Sequence, residues 1–483
     1  MWQHLHGQLY AFTGACNCYA LVRGHQAVLI EYDHEAHLQL EAFGVSEVLR
    51  VLLTHVHGHN AEVPSGLPVD VPEAEHRLMT HPEDIRAGRQ RLNRYEVLKD
   101  HDLPAHGHEA GKLLDYDTFE LLDRWEVVPT PGHTPGSITL ILDHEGKRFA
   151  FVGDLLSGPG TVHDLSYTQW TYGGGEGLAG SILSLLDLEK RNLDVLLPAH
   201  GQIMRQPAHA FSLTLERLWA LVRLRCHNPR LLKFREEPFV QVTKHVLMNR
   251  TSFAHHYVVV SQSGKALFID FGYDFMFGLT DITERHARRP WLYNLPCLKD
   301  FGVKEISAVV PTHIHDDHVA GINVLRRVHG AKVLVPAGFA EVLLHPEAHD
   351  LPCQWFDAIE PDETLGSSFD WEEFHFRILP MPGHTPHAVG IFLEVDGERL
   401  LFQGDVLADD GLGLNYIYEN GFDPADFVQV AHLIEQEQPT LLMGGHWEPV
   451  RVTPEWTSAL KERAQQLLDL HTQIMPEQET HHD

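Results

Sequence analysis

The sequence predicts an α/β protein that consists of two similar domains in tandem. A series of four histidine and aspartate motifs occurs twice within the 483 residues, and short, branched apolar runs stand before the motifs in each copy. An internal repeat of this length indicates a duplicated domain, and each copy is long enough to bury its own core. We therefore expect domains at 1–227 and 242–483, joined by a linker at 228–241.

The most informative motif lies in the second copy, directly after the apolar run 306–310. It places His313, His315, Asp317 and His318 within six residues. In an extended chain His313 and His315 lie on one side, so Asp317 and His318 are available to a second centre. Neutral imidazole and carboxylate are the ligands that zinc and similar divalent cations prefer. Three further candidate ligands follow in this copy, each after a glycine: His384, Asp405 and His446.

The first copy repeats the series with two replacements. Its five matching residues are His55, His57, His133, Asp154 and His200. The downstream histidine and the aspartate are 21 residues apart in both copies (154 − 133 and 405 − 384). However, the first copy has His59 and Asn60 where the second has Asp317 and His318. We therefore expect a degenerate first site that is mononuclear or empty, with His59 as a substitute ligand left open as the alternative.

The predicted strands place these residues at the ends of rigid elements. Apolar runs at 48–54 and 305–312 end at the first histidine pair of each copy, and are candidate buried strands. Strands at 27–32 and 265–271 are expected to open each domain with a hairpin. Further hairpins are expected at 138–153 and 390–404, strands at 194–198 and 440–443, and helices at 177–192, 211–226, 424–437 and 454–474. Loops that follow such strands converge on one region of the surface.

Composition favours a small-molecule substrate over a nucleic-acid or membrane partner. The net charge of −30 opposes binding to polyanions. The five cysteines form no CxxC pair, which favours a reducing cytoplasm. The first residues lack the basic flank and apolar core of a signal peptide, and no apolar run approaches the roughly 18 residues of a membrane span. We expect a cytoplasmic protein, and leave a homodimer open.

The order and spacing of the motifs resemble the metallo-β-lactamase superfamily, including its glyoxalase II and lactonase-like branches. The resemblance implies tandem four-layer αββα sandwiches, with a metal pair at one edge of the two sheets in the second copy. It implies two divalent ions, zinc by expectation, with manganese or iron(II) as alternatives. One ion would be held by His313, His315 and His384, the other by Asp317, His318 and His446, with Asp405 bridging them. Asp270, and Glu31 at the equivalent position, would support the metal loops.

Hydrolysis is the reaction that this resemblance implies. Two cations about 3.5–4 Å apart lower the pKa of a bridging water enough to supply hydroxide at neutral pH. The expected substrates are esters, thioesters, lactones or lactams, with Asp317 as the catalytic residue that orients the nucleophile. Three alternatives remain open. They are a mononuclear iron dioxygenase acting on persulfides, a flavin-coupled di-iron reductase, which His315 disfavours, and a first copy that serves only as a binding or dimerisation module.

Overall fold

The computed structural model describes residues 1–57, 63–83, 104, 106–134, 136–163, 176–225, 234, 237–273, 292, 294–349, 358–408, 411–412 and 423–474. The described residues form two compact units, one from residues up to 229 and one from residues 230 onward. Strand Phe239–Thr243 belongs to the second unit and lies partly within 228–241, the range expected as a linker. Each unit contains two β-sheets.

The first unit pairs a seven-stranded sheet with a five-stranded sheet. Four antiparallel strands open the larger sheet and three parallel strands follow. In order these are β1 Gln3–His6, β2 Leu9–Thr13, β3 Asn17–Arg23, β4 Gln26–Ile30, β5 Glu47–Leu52, β6 Val69–Pro72 and β7 Leu113–Leu114. The smaller sheet has the order β12-β11-β10-β9-β8. Its strands are β8 Asp117–Leu121, β9 Asp123–Pro129, β10 Ile138–His144, β11 Lys147–Gly153 and β12 Val195–Pro198.

The second unit repeats this topology with one additional edge strand. Its seven-stranded sheet runs in chain order. The strands are β13 Phe239–Thr243, β14 Val246–Asn249, β15 Tyr257–Val260, β16 Lys265–Ile269, β17 Glu305–Val310, β18 Lys332–Pro336 and β19 Glu363–Leu365. The second sheet also runs in chain order. It contains β20 Ser368–Trp371, β21 Phe374–Pro380, β22 Val389–Val395, β23 Glu398–Gly404, β24 Leu441–Gly444 and β25 Val450–Arg451.

Helices cover the outer faces of the sheets. The first unit has His34–Leu38, His76–Thr80, Glu176–Glu189 and Pro207–Arg225, and the second has Asp316–Val319, Ile322–His329, Ala340–Leu344, Ala425–Glu437 and Pro454–Ile474. Short 3₁₀ turns lie at Glu41–Phe43, Glu73–Glu75, Leu295–Phe301 and Pro346–Ala348. Among the described residues, none of the helices combines the length and hydropathy needed to cross a bilayer.

Apolar side chains fill the spaces between these layers. In the first unit Tyr19 and Phe151 join the two sheets, with ring centroids 5.3 Å apart. In the second unit the rings of Tyr257 and Phe402 make the same contact at 5.2 Å. Phe427, from an outer helix, packs on the opposite face of the second sheet. These layers confirm the expected fold class, in which sheets stack on one another and helices lie outside.

The opening of each unit differs from the expected hairpin. Four antiparallel strands, β1–β4 and β13–β16, occupy these positions. The edge strands β1 and β13 are short and partly exposed, so their sequences lack the apolar run that identifies a buried strand. The predicted helix at 454–474 is confirmed, as are the strands that precede the motif residues. The hairpins before Asp154 and Asp405 turn at residue pairs with positive φ, Glu145-Gly146 and Asp396-Gly397.

Candidate metal centre

An acidic residue at the end of β16 holds the histidine loop of the second unit. Asp270 has a φ of 63°, which is unusual for a residue other than glycine. Its carboxylate accepts hydrogen bonds from the backbone N–H and the hydroxyl of Thr312, at 2.6 and 2.9 Å. Nδ1 of His318 lies 2.9 Å from the same carboxylate. This contact fixes the orientation of the His318 ring, as carboxylates do for histidines that ligate metals.

Three buried imidazoles from two loops of the second unit converge on one point. Nε2 of His313 lies 3.2 Å from Nδ1 of His315, and Nε2 of His384 lies 2.9 Å from that same atom. Burial lowers the pKa of all three rings, well below the usual range for His313 and to about 4 for His315. Neutral rings keep a lone pair for a cation, so this donor set fits a divalent metal.

A second cluster, rich in carboxylates, lies beside these imidazoles. The candidate ligand atoms of Asp317, His318, Asp405 and His446 all lie within 4.8 Å of one another. Nε2 of His446 is 3.2 Å from Oδ2 of Asp317 and 3.0 Å from Oδ2 of Asp405. Burial lowers the pKa of His446, but the charges of Asp405 and Asp317 outweigh it and raise that pKa to about 10. The His446 ring is therefore protonated at neutral pH, and the same carboxylates that favour its positive charge would favour a bound metal cation.

Asp405 faces both clusters of the second unit. Its Oδ2 is 3.6 Å from Nε2 of His384 in the first cluster and 3.4 Å from Nε2 of His318 in the second. The Nε2 atom of His318 is buried and makes no hydrogen bond within the described structure. Buried polar atoms normally have a partner, and a bound cation would provide one here. Gly404, with a φ of 55°, allows this approach, because a Cβ there would lie 2.5 Å from Oγ1 of Thr312. The donors thus fit two adjacent cations that share Asp405.

The first unit contains a related cluster of His55, His57, His133 and Asp154. Oδ2 of Asp154 lies 3.5 Å from Nε2 of His55 and 3.6 Å from Nε2 of His133. Nε2 of His133 is 3.3 Å from Nδ1 of His57. His200, the remaining predicted residue, places Nδ1 at 2.9 Å from both carboxylate oxygens of Asp154. Five of the predicted first-unit residues therefore lie together, whereas His59 and Asn60 fall outside the described residues.

Two residues near the first-unit cluster were missed by the sequence analysis. Glu75 is buried and accepts hydrogen bonds from the backbone N–H of Val56, the hydroxyl of Thr134 and the backbone N–H of Gly136. It therefore ties the histidine loop to the loop of His133. The only signal was a glutamate three residues after Pro72, where the second copy has a phenylalanine three residues after its own proline.

The second missed residue is His163, which packs on His200. The two rings are stacked with centroids 3.9 Å apart and an interplanar angle of 9°. Candidate ligand atoms of His163, His200 and Asp154 lie within 4.8 Å of one another. No spacing rule from the second copy pointed to His163, because that copy has Leu414 nine residues after Asp405, the spacing that His163 has from Asp154.

Comparisons with known proteins agree with the duplicated architecture. A hydroxyacylglutathione hydrolase from Pseudomonas putida (strain W619) is 30% identical over 105 residues, 22% of this chain and 35% of that protein. One from Cereibacter sphaeroides (strain ATCC 17029 / ATH 2.4.9) is 32% identical over 143 residues, 29% of this chain and 48% of that protein. The matched segments thus span less than half the length of either relative.

Among solved structures, a metallo-beta-lactamase family protein from Thermus thermophilus is 21% identical, with a TM-score of 0.37, over 49% of this chain and 96% of its own. The family model described as "Metallo-beta-lactamase superfamily" matches this chain twice, at residues 11–200 and 250–467. Each match contains one copy of the motif series and most strands of one pair of sheets. The chain is a tandem member of the metallo-β-lactamase superfamily.

Proposed function

We propose that this chain is a metal-dependent hydrolase with its active site in the second unit. The observation that supports this most directly is the position of Asp405. Its Oδ2 lies 3.0 Å from His446, 3.4 Å from His318 and 3.6 Å from His384. One carboxylate oxygen facing two donor clusters is the arrangement that a pair of cations needs. The proposed ligands are His313, His315, Asp317, His318, His384, Asp405 and His446.

The side chains around this centre have separable roles. These ligands would hold a pair of divalent ions, zinc in this proposal with manganese or iron(II) as alternatives, which would supply hydroxide at neutral pH and polarise a carbonyl. Asp317 is the proposed catalytic residue, because its carboxylate is buried in the cluster and is held ionised. Burial raises the pKa of Asp317, but the charge of His318 and the hydrogen bond with His446 lower it overall. An ionised carboxylate there accepts a proton from the attacking water and orients it.

Among the four expected substrate classes, the thioester has the most support. The matched relatives are named hydroxyacylglutathione hydrolases, and a hydroxyacylglutathione is a thioester. The matches cover less than half of those proteins, so this support concerns the reaction class and not one substrate. Ester, lactone and lactam substrates belong in the same test.

The first experiment compares metal-depleted protein with protein reconstituted with zinc, manganese or iron(II). Each preparation is assayed for hydrolysis of a hydroxyacylglutathione, an aryl ester, a lactone and a β-lactam. We expect the depleted protein to be inactive and the reconstituted protein to hydrolyse at least the thioester. An oxygen electrode provides the opposing test on iron-loaded protein with a glutathione persulfide. Oxygen uptake stoichiometric with that substrate, together with no hydrolysis in the panel, contradicts the proposal in favour of the dioxygenase.

A further inference from the structure

We propose that His163, His200 and Asp154 form a metal-binding position in the first unit, next to the one formed by His55, His57 and His133. In this position His163 replaces ligands that the first copy lacks. The proposal goes beyond the hydrolase function of the second unit, because it concerns a different set of residues. It also departs from the expectation that the first site holds at most one ion.

The carboxylate of Asp154 joins the two positions. Its Oδ2 lies 3.5 Å from Nε2 of His55 on one side, and both of its oxygens lie 2.9 Å from Nδ1 of His200 on the other. Asp405 faces two clusters in the same way in the second unit. The ligand atoms of His163, His200 and Asp154 lie within 4.8 Å of one another, so small rotations of the rings bring them to a shared cation. The His163 side chain is exposed, so its ring has room to turn.

A tight turn after Asp154 carries the chain back to His200. The backbone N–H of Ser157 donates to the carbonyl of Thr161 at 2.9 Å. The backbone N–H of Gln202 then donates to the carbonyl of Ser157 at 2.9 Å, which links this turn to the loop of His200. Gly201, with a φ of 103°, permits the contact, because a Cβ there would lie 2.0 Å from that carbonyl oxygen. The two loops are therefore joined directly, and His163 follows the turn by two residues.

The donor set of this position suits a divalent transition metal. Two imidazoles and one carboxylate leave at least one coordination site open, as in zinc sites that also bind water. In the second copy the proposed second position uses Asp317 and His318. Leu414 lies nine residues after Asp405, the spacing that His163 has from Asp154 (414 − 405 and 163 − 154). The first copy has His59 and Asn60 at the former pair and a histidine at position 163. In this proposal the first copy therefore takes a ligand from the loop after Asp154, whereas the second copy takes its ligands from the first histidine motif.

The test counts metal ions bound to the full-length chain. His313→Ala, His318→Ala and Asp405→Ala are introduced together, which leaves only two of the proposed donors at each second-unit position. The chain is then loaded with Zn²⁺ and analysed by elemental mass spectrometry. We expect about two ions in this background, about one after adding His163→Ala or His163→Gln, and two after adding His209→Ala, the matched exposed control. Loading with Mn²⁺ gives an independent readout, because two adjacent ions give a coupled electron paramagnetic resonance spectrum and a single ion does not.

Two results overturn this proposal. The first is an unchanged ion count after His163→Ala, both in the triple variant and in the otherwise unaltered chain, where the total should fall by one. The second is a loss of one ion in His59→Ala with none lost in His163→Ala, which assigns the position to His59. Circular dichroism of each variant checks that the fold is retained. Because these readouts do not depend on turnover, they stay separate from a failure of the hydrolase proposal.

Discussion

Equivalent histidines in the two units have opposite pKa shifts. Burial lowers the pKa of His55, but Asp154 raises it overall to about 9. Burial lowers the pKa of His313 as well, and the neighbouring rings of His318 and His315 lower it further. The same position in a repeated motif is therefore cationic in one unit and neutral in the other before metal binds. The rings that lower the pKa of His313 belong to its own motif, whereas Asp154, which raises the pKa of His55, comes from a distant part of the chain.

Metal binding to the metal-free chain should release protons at pH 7. The pKa of His446 is raised to about 10 and that of His55 to about 9, so both rings are protonated at that pH. A ring must lose its proton to ligate, so these positions bind more tightly as pH rises. We expect at least roughly two protons to be released per chain. Calorimetric titrations in buffers with different ionisation enthalpies measure this number. Release of none would show that these rings do not become ligands.

Replacing Asp270 tests how the second-unit loop is held. Asp270→Asn keeps the size of the side chain but removes the charge that faces His318. We expect zinc affinity of the second unit to fall about 10- to 100-fold, as for other residues that orient a metal ligand. Competition with a chromogenic chelator measures this, and circular dichroism checks the fold. The matched control is Glu31→Gln, since Glu31 contacts Thr54 in the same way in the first unit. An equal loss of hydrolysis in both variants would contradict this role.

At the scale of elements, the two units have the same buried strands before their first histidine pairs. The predicted runs at 48–54 and 305–312 correspond to strands β5 and β17, which both end two residues earlier than predicted. Apolar, branched residues in these runs favour a buried parallel strand. The edge strands β1 and β13 were not predicted, since half-exposed strands of four or five residues have no continuous apolar signal. Local pattern thus identifies the strands that precede the motif residues, whereas the interior strands β3 and β15 were not predicted either.

The residue directly before β15 titrates in the acidic range, and the matching residue in β3 does not. His256 precedes β15, whereas Cys18 occupies the matching position in β3, one residue before a tyrosine in each case. Burial lowers the pKa of His256 to about 3. Between pH 6.5 and 3 the unfolded chain binds a proton that the folded chain does not, so stability falls as pH falls.

His256→Cys should therefore flatten the acid dependence of the second unit. We expect the loss of unfolding free energy between pH 7 and pH 5 to shrink by about 2 kcal/mol, whatever the variant costs in stability at pH 7. Urea denaturation at the two pH values measures the difference. The exposed control His209→Ala should leave it unchanged. If the unfolding free energies at pH 7 and pH 5 shift equally, so that their difference stays that of the unaltered chain, the burial of a neutral His256 is contradicted.

At the scale of the whole molecule, duplication conserved the fold and changed the sites. Both units keep the strand order and the acidic residue with positive φ after the fourth strand, Glu31 and Asp270. The residues predicted as ligands could be grouped from the sequence because five of them occur in the same order in both copies, and Asp317 and His318 lie within the second copy's first motif. Glu75 and His163 could not, because they reach the site through contacts between loops and have no counterpart in the second copy. Comparison of the two copies therefore does not identify a residue that occurs in one copy only and lies outside the motifs.

The central claim is that hydrolysis takes place in the second unit, and alanine variants at equivalent positions test it most directly. His384→Ala and His133→Ala remove the matching imidazole from the second and first units, and kcat/KM is measured with the substrate found in the panel. We expect His384→Ala and Asp317→Ala to lose more than about 100-fold, beyond the effect of residues that only orient a ligand. His133→Ala and His57→Ala should retain most activity. Greater loss in folded His133→Ala and His57→Ala proteins than in the second-unit variants would contradict the claim.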